Sequence, residues 1–157
     1  MEGPVFAILL VQLLVITLID ARRSIIPDLC NAVLGLTGIA AHWLLGSFDA
    51  FRIASGAIIF GGTFALARAL HFRARGQVGL GLGDVKMAAA AGCWIAAERF
   101  PLFLAVASFS ALLFVLVMLP IWKGDLGTRR VAFGPFLALG LVLSWLAEMS
   151  SVSVLEI

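Results

Sequence analysis

Charge is what this 157-residue sequence lacks. Only 13% of its residues are charged and 62% are hydrophobic, against a usual charged share of about 25%. So few charges cannot surface a water-soluble domain of this length, and the composition reads as that of an integral membrane protein. Cysteine is scarce too. Cys30 and Cys93 lie in separate apolar segments without a CxxC pair, so they read as small hydrophobes. His42 and His71 are isolated, which leaves no metal-ligand spacing. No basic cluster is interleaved with aromatics, which argues against a nucleic-acid partner. There is no internal repeat, soluble domain or low-complexity linker, and a single domain over residues 1–157 is expected.

Apolar residues fill six segments, roughly 4–19, 27–45, 52–70, 84–97, 101–122 and 131–149. The expected fold class is therefore all-α, with six transmembrane helices, of which the second, third, fifth and sixth meet the lower limit of about 17 residues and the first is borderline. The fourth segment, DVKMAAAAGCWIAA, is short and alanine-rich, which suits a helix packed inside the bundle. Gly56, Ala57, Gly61 and Gly62 put similar small-residue packing into the third. Basic residues mark the orientation. Arg22, Arg23, Arg68, Arg73, Arg75, Lys86, Lys123, Arg129 and Arg130 fall on one side of the alternating spans, and only Arg52 and Arg99 on the other. Cytoplasmic loops retain Lys and Arg, so both termini are expected in the periplasm. The first segment has no basic residue before its apolar run and is not read as a cleavable signal peptide. Trp43, Trp122 and Trp145 read as interfacial aromatics, and Asp125 as part of a solvated turn.

The longest connection, HFRARGQVGLGLG at 71–83, is basic and glycine-rich, and it leads directly into Asp84. Its glycines are expected to use backbone angles closed to other residues. Asp20 ends the first span and Asp84 opens the fourth, so alternation puts both at the cytoplasmic face. Each has an ordinary explanation: Asp84 as a helix cap, Asp20 as a partner of Arg22 or Arg23. Together they suggest more. Two carboxylates sharing one proton can hydrolyse a peptide, one activating water while the other protonates the scissile carbonyl. Glycine before one acid admits substrate backbone and lets the acid swing. Asp28, in the first turn of the second helix, is the rival acid; a first-turn charge accounts for it.

Gly81, Leu82, Gly83 and Asp84, with Lys86 two residues on, resemble the GxGD motif of type IV prepilin peptidases. Asp20 followed by Ile26 and Pro27, and FGPFLALG at 133–140, resemble two further stretches of that family in the same order. The short form is similar to the peptidases of Flp/Tad-type pili. Ala132 stands near where the family often has a proline. The resemblance implies a membrane-embedded aspartic endopeptidase of the bacterial inner membrane, with Asp20 and Asp84 catalytic. Its substrate would be a prepilin with a basic leader and an apolar helix, met in the lipid bilayer and cut at the cytoplasmic face. Gly81, Gly83, Lys86, Pro27 and Pro135 would support the site or touch substrate, and no metal or organic cofactor is implied. Longer family members carry a cysteine-containing N-terminal portion linked to methyl transfer. Nothing here corresponds to it, so cleavage without N-methylation is expected. Two other readings of the acids stand beside this one: a small cation or proton transporter or channel subunit, and a non-catalytic assembly protein.

Overall fold

The computed structural model describes residues 2–76, 79–121 and 131–155. Gln77, Trp122, Lys123, Asp125, Arg129 and Arg130 lie outside the described residues. Among the described residues six α-helices follow one another: α1 (Glu2–Arg23), α2 (Asp28–Leu44), α3 (Ala50–Arg75), α4 (Leu82–Ala91), α5 (Phe100–Met118) and α6 (Gly134–Leu155). One 3-10 turn (Ala97–Arg99) precedes α5, and no strand occurs among the described residues. The all-α class is met.

Six spans are not established. Among the described residues three helical stretches are long and apolar enough to cross a membrane, Gly3–Arg23, Ala50–Arg75 and Ala97–Met118, and Gly134–Ser150 is a shorter apolar helix. α2 has 17 residues, at the lower limit for crossing. α4 has only 10, which at 1.5 Å per residue covers about half of a bilayer core of about 30 Å. The fourth apolar segment is thus the short inner helix expected, and a turn follows it. Hydropathy reads both alike, since neither alanine nor the buried turn residues carry charge.

The outer faces explain why the composition is so apolar. Val11 on α1, Ile58 on α3 and Phe109 on α5 are exposed by 61%, 71% and 71%. Inside, α4 packs against α2, α3 and α6, while α6 also packs against α1 and α5. Met87, Ala88, Ala90 and Ala91 of α4 are buried with Leu34, Phe60, Phe103, Leu137 and Leu141. Small residues set the spacing. A methyl group built on Gly56 would strike the Gly92 carbonyl, and one on Gly61 would lie 2.7 Å from Ala89 Cβ. Gly62, expected to share this role, has nothing within 4 Å of such a methyl. Gly56→Val is therefore expected to destabilise the protein by about 3 kcal/mol, at the upper end of overpacking costs, because backbone cannot step aside. Membrane abundance and any activity should fall together, read by immunoblot beside an activity assay.

Trp145 also departs from expectation. It is buried, not interfacial, and its ring stacks on Phe6 at 5.0 Å. Trp43 remains exposed. Cys30 and Cys93 are free and half-buried. At the end of the bundle formed by the start of α3 and the close of α6, buried Glu148 pairs with Arg52 and accepts the Ala96 N–H at 3.0 Å. This joins α6 to α3 and to the turn after α4.

Candidate active site

The other end of the bundle gathers the close of α1 and α3 with the starts of α2, α4 and α6. Asp20 opens the last turn of α1 and is 4% exposed. Its Oδ2 accepts the Gly134 N–H at 2.8 Å, one of the donors left free at the start of α6, where negative charge is favoured. The fit is close. A methyl group on Gly134 would lie 2.6 Å from Asp20 Oδ2 and 3.1 Å from Cγ. Gly134 was visible in FGPF as the neighbour of Pro135, yet its contact with Asp20 had no local signal. Pro135 itself falls in the first turn of α6, where its missing N–H breaks no helical bond, so it produces no kink.

Asp84 is the third residue of α4, and its Oδ2 accepts the Gly81 N–H at 3.1 Å. That is one half of a capping box, with a glycine in place of the Ser or Thr that would return the bond. The capping explanation and the functional one therefore coexist in one side chain. Asp84 lies outside the three long spans and is half-buried. Burial pushes its carboxyl up from 3.8 to about 6, the Asp20 charge pushes the same way, and the Gly81 bond opposes both. The Asp20 carboxylate is thus near enough for Asp84 to feel it.

The glycine run is shaped by close approach, not by unusual angles. Among the described glycines, only Gly46 and Gly76 have positive φ. Gly81 has φ −67°. A methyl on Gly79 would meet the His71 ring at 2.6 Å, and one on Gly83 would meet Ile26 Cβ at 3.1 Å. The run is also shorter than the expected loop, because α3 continues to Arg75 and Gly76 closes it at φ 63°. Arg68 of α3 donates to the Leu80 carbonyl and Asn31 of α2 donates to the Gly83 carbonyl. Sequence reading had counted Arg68 only as a topogenic charge and had passed over Asn31.

Pro27 caps α2 with extended backbone, φ −62° and ψ 140°, and the helix itself starts at Asp28. Ile26 is thereby set against Gly83. Lys86 reaches Asp28 at 2.7 Å, with side chains 48% and 75% exposed. Each thus has a partner in the other, away from the buried acids. Among the described residues no group of three or more His, Cys, Asp or Glu is placed to hold a metal ion.

The raised Asp84 carboxyl has a consequence for stability. The folded chain holds that proton more tightly than the unfolded chain, so unfolding free energy falls as pH rises from about 4 to about 6 and stays reduced above. Asparagine at 84 removes the penalty and still accepts the Gly81 bond. Asp84→Asn is expected to be more stable than the parent at pH 8 by about 1–2 kcal/mol, discounted for partial exposure. At pH 4 the two should unfold alike in denaturant titrations. An equal difference at both pH values would exclude this cause.

The sequence comparisons point the same way. The model of the type IV leader peptidase family matches residues 7–116. A prepilin leader peptidase/N-methyltransferase of Pectobacterium carotovorum subsp. carotovorum is 34% identical over 135 residues, which are 85% of this chain and 47% of that protein. One from Escherichia coli K12 is 29% identical over 131 residues, 83% of this chain and 57% of that protein. The leader peptidase HopD of Escherichia coli is 36% identical over 129 residues, 80% of this chain and 82% of that protein. The chain spans about half the length of the first two relatives. No solved structure matches the chain with statistical support. With more than half of its length matched by one family model, this chain belongs to the type IV leader peptidase family.

Proposed function

We propose that this chain is a membrane-embedded aspartic endopeptidase that removes the leader from prepilins, with Asp20 and Asp84 as its catalytic pair. The observation that carries the reading is the meeting of these two acids at one end of the bundle, where Asp84 feels the Asp20 charge. With one charge near the other, both cannot ionise cheaply, so the pair holds a proton up to about pH 6, well above the ordinary carboxylate range. The ionised carboxylate takes a proton from water as the water oxygen attacks the scissile carbonyl carbon. The protonated carboxyl gives its proton to the carbonyl oxygen. As the tetrahedral intermediate collapses, the C–N bond breaks, the departing amine takes a proton from one carboxyl, and one hydroxyl of the intermediate returns its proton to the other as the C=O bond re-forms. The chemistry is balanced by water alone.

The substrate class follows from family membership and from the apolar exterior. A prepilin has a basic leader and an apolar helix, and that helix can meet the bundle within the bilayer while its leader junction meets the acids. The location is the bacterial inner membrane with the acids at the cytoplasmic face, supported by Arg22, Arg23, Arg68, Arg73, Arg75 and Lys86, which share the acid end with Asp20 and Asp84. Gly81 and Gly83 keep that approach open.

One experiment tests both the reaction and its side. A synthetic leader–helix peptide is added to oriented membrane vesicles containing the protein, and products are read by mass spectrometry. Cleavage of one bond at the leader–helix junction, confined to inside-out vesicles, is the expected outcome. Cation flux without cleavage would replace the reading with transport. Cleavage confined to right-side-out vesicles would reverse the orientation.

A further inference from the structure

Asn31 sits on α2, 5% exposed, and donates from Nδ2 to the Gly83 carbonyl at 3.3 Å. Its Oδ1 is buried and has no hydrogen-bond partner among the described residues. Turning the amide round would not help, because the oxygen would then face a carbonyl that can only accept. The net worth of one long neutral hydrogen bond is smaller than the penalty of leaving a buried acceptor unpaired. For stability alone, a leucine of similar size would serve this helix interface better.

Its position supplies the reason to keep an amide. The carbonyl that Asn31 holds belongs to the peptide unit whose nitrogen is that of Asp84. Three contacts join the starts of α2 and α4: Ile26 against the Gly83 backbone, Lys86 with Asp28, and Asn31 with Gly83. The first is non-directional and the second is exposed, where ion pairs do little. Of these three, the Asn31 bond is the directional one made by a buried side chain, so within the packing of α4 it bears on how the first turn of that helix is set. The setting of that turn decides which way Asp84 points.

We propose that Asn31 is a positioning residue, holding the Gly83 carbonyl so that Asp84 faces Asp20. The proposal rests on the two-aspartate reading above, and two measurements separate them. Asn31→Leu removes both polar atoms at similar volume, and Asn31→Ala removes them where the larger side chain disturbs folding. In either variant, kcat for the synthetic prepilin should fall about tenfold or more with KM unchanged, as expected for a misplaced reacting group. The second measurement needs no cleavage: the Asp84 carboxyl is titrated by infrared difference spectroscopy on isotope-labelled protein, with Asp84→Asn as the assignment control. Its midpoint should drop by about half a unit or more as the acid turns from Asp20 toward water. If the unmutated protein fails to cleave while the midpoint still moves, the function is wrong and the positioning role stands. An unmoved midpoint, with cleavage unchanged or merely following the amount of folded protein, would overturn the proposal.

Discussion

If Asp20 and Asp84 are the catalytic pair proposed above, Asp20→Asn and Asp84→Asn are each expected to reduce cleavage of a synthetic prepilin by about 10³-fold or more, with the double variant no slower than either single one. The magnitude follows from general acid–base catalysis; the lack of additivity follows because both acids act in one step. Asparagine preserves the shape and the hydrogen bonds from Gly134 and Gly81 but cannot exchange the proton that the reaction moves. Asp28→Asn and Lys86→Ala are the controls. Their exposed pair contributes about 0–1 kcal/mol, so each should lose less than about threefold. Initial rates in liposomes, normalised to folded protein, decide the matter. Full activity in either single aspartate variant would end the two-aspartate reading, and loss in Asp28→Asn alone would move the first acid to position 28. The same Asp84→Asn substitution that abolishes turnover should stabilise the fold at pH 8, the usual conflict between a reactive group and its surroundings.

Gly134→Ala carries the second large effect. Its methyl would fall 2.6 Å from Asp20 Oδ2 and 3.2 Å from Asp20 Cβ. The carboxylate has little room to retreat, because Asp20 is almost wholly buried. Either it leaves the Gly134 N–H or α6 shifts away from α1; both displace it from Asp84. A displacement near 1 Å is worth about 10²-fold in rate. Folded yield should change far less, because the clash is with the tip of a side chain. Gly56→Val provides the contrast, since there the clash is with backbone and abundance falls with activity. Rates and yields measured for the two variants side by side make the comparison. Unchanged turnover in Gly134→Ala would show that α6 does not set the Asp20 position.

The acids and their motifs were legible because each rests on residues close in sequence: Gly81 to Asp84, Asp20 to Pro27, Phe133 to Gly140. What holds them was not. Gly134 and Asp20 are 114 positions apart, and Asn31 and Gly83 are 52 apart, so only helix packing reveals them. The all-α class followed from composition, but the span count did not. An alanine run scores as apolar whether it crosses a bilayer or fills the centre of a bundle, and the turn that ends α4 is hidden where Gly92 meets Gly56. Trp145 misled for the same reason. Its position near a chain segment's end says nothing of the Phe6 ring that covers it.

The bond from the Gly81 N–H to Asp84 Oδ2 also determines where motion resides during turnover. Swinging Asp84 toward a distant peptide would uncap α4 and unwind the turn on which Gly83, Ile26 and Asn31 converge. The acid is instead held in place before any peptide arrives, as a fixed electrode is, and reorganisation falls to the incoming chain. On the reading proposed above, a prepilin's leader junction has to unwind to lie across carboxylates already in place, and turnover is expected to follow how readily that helix frays at its first turn.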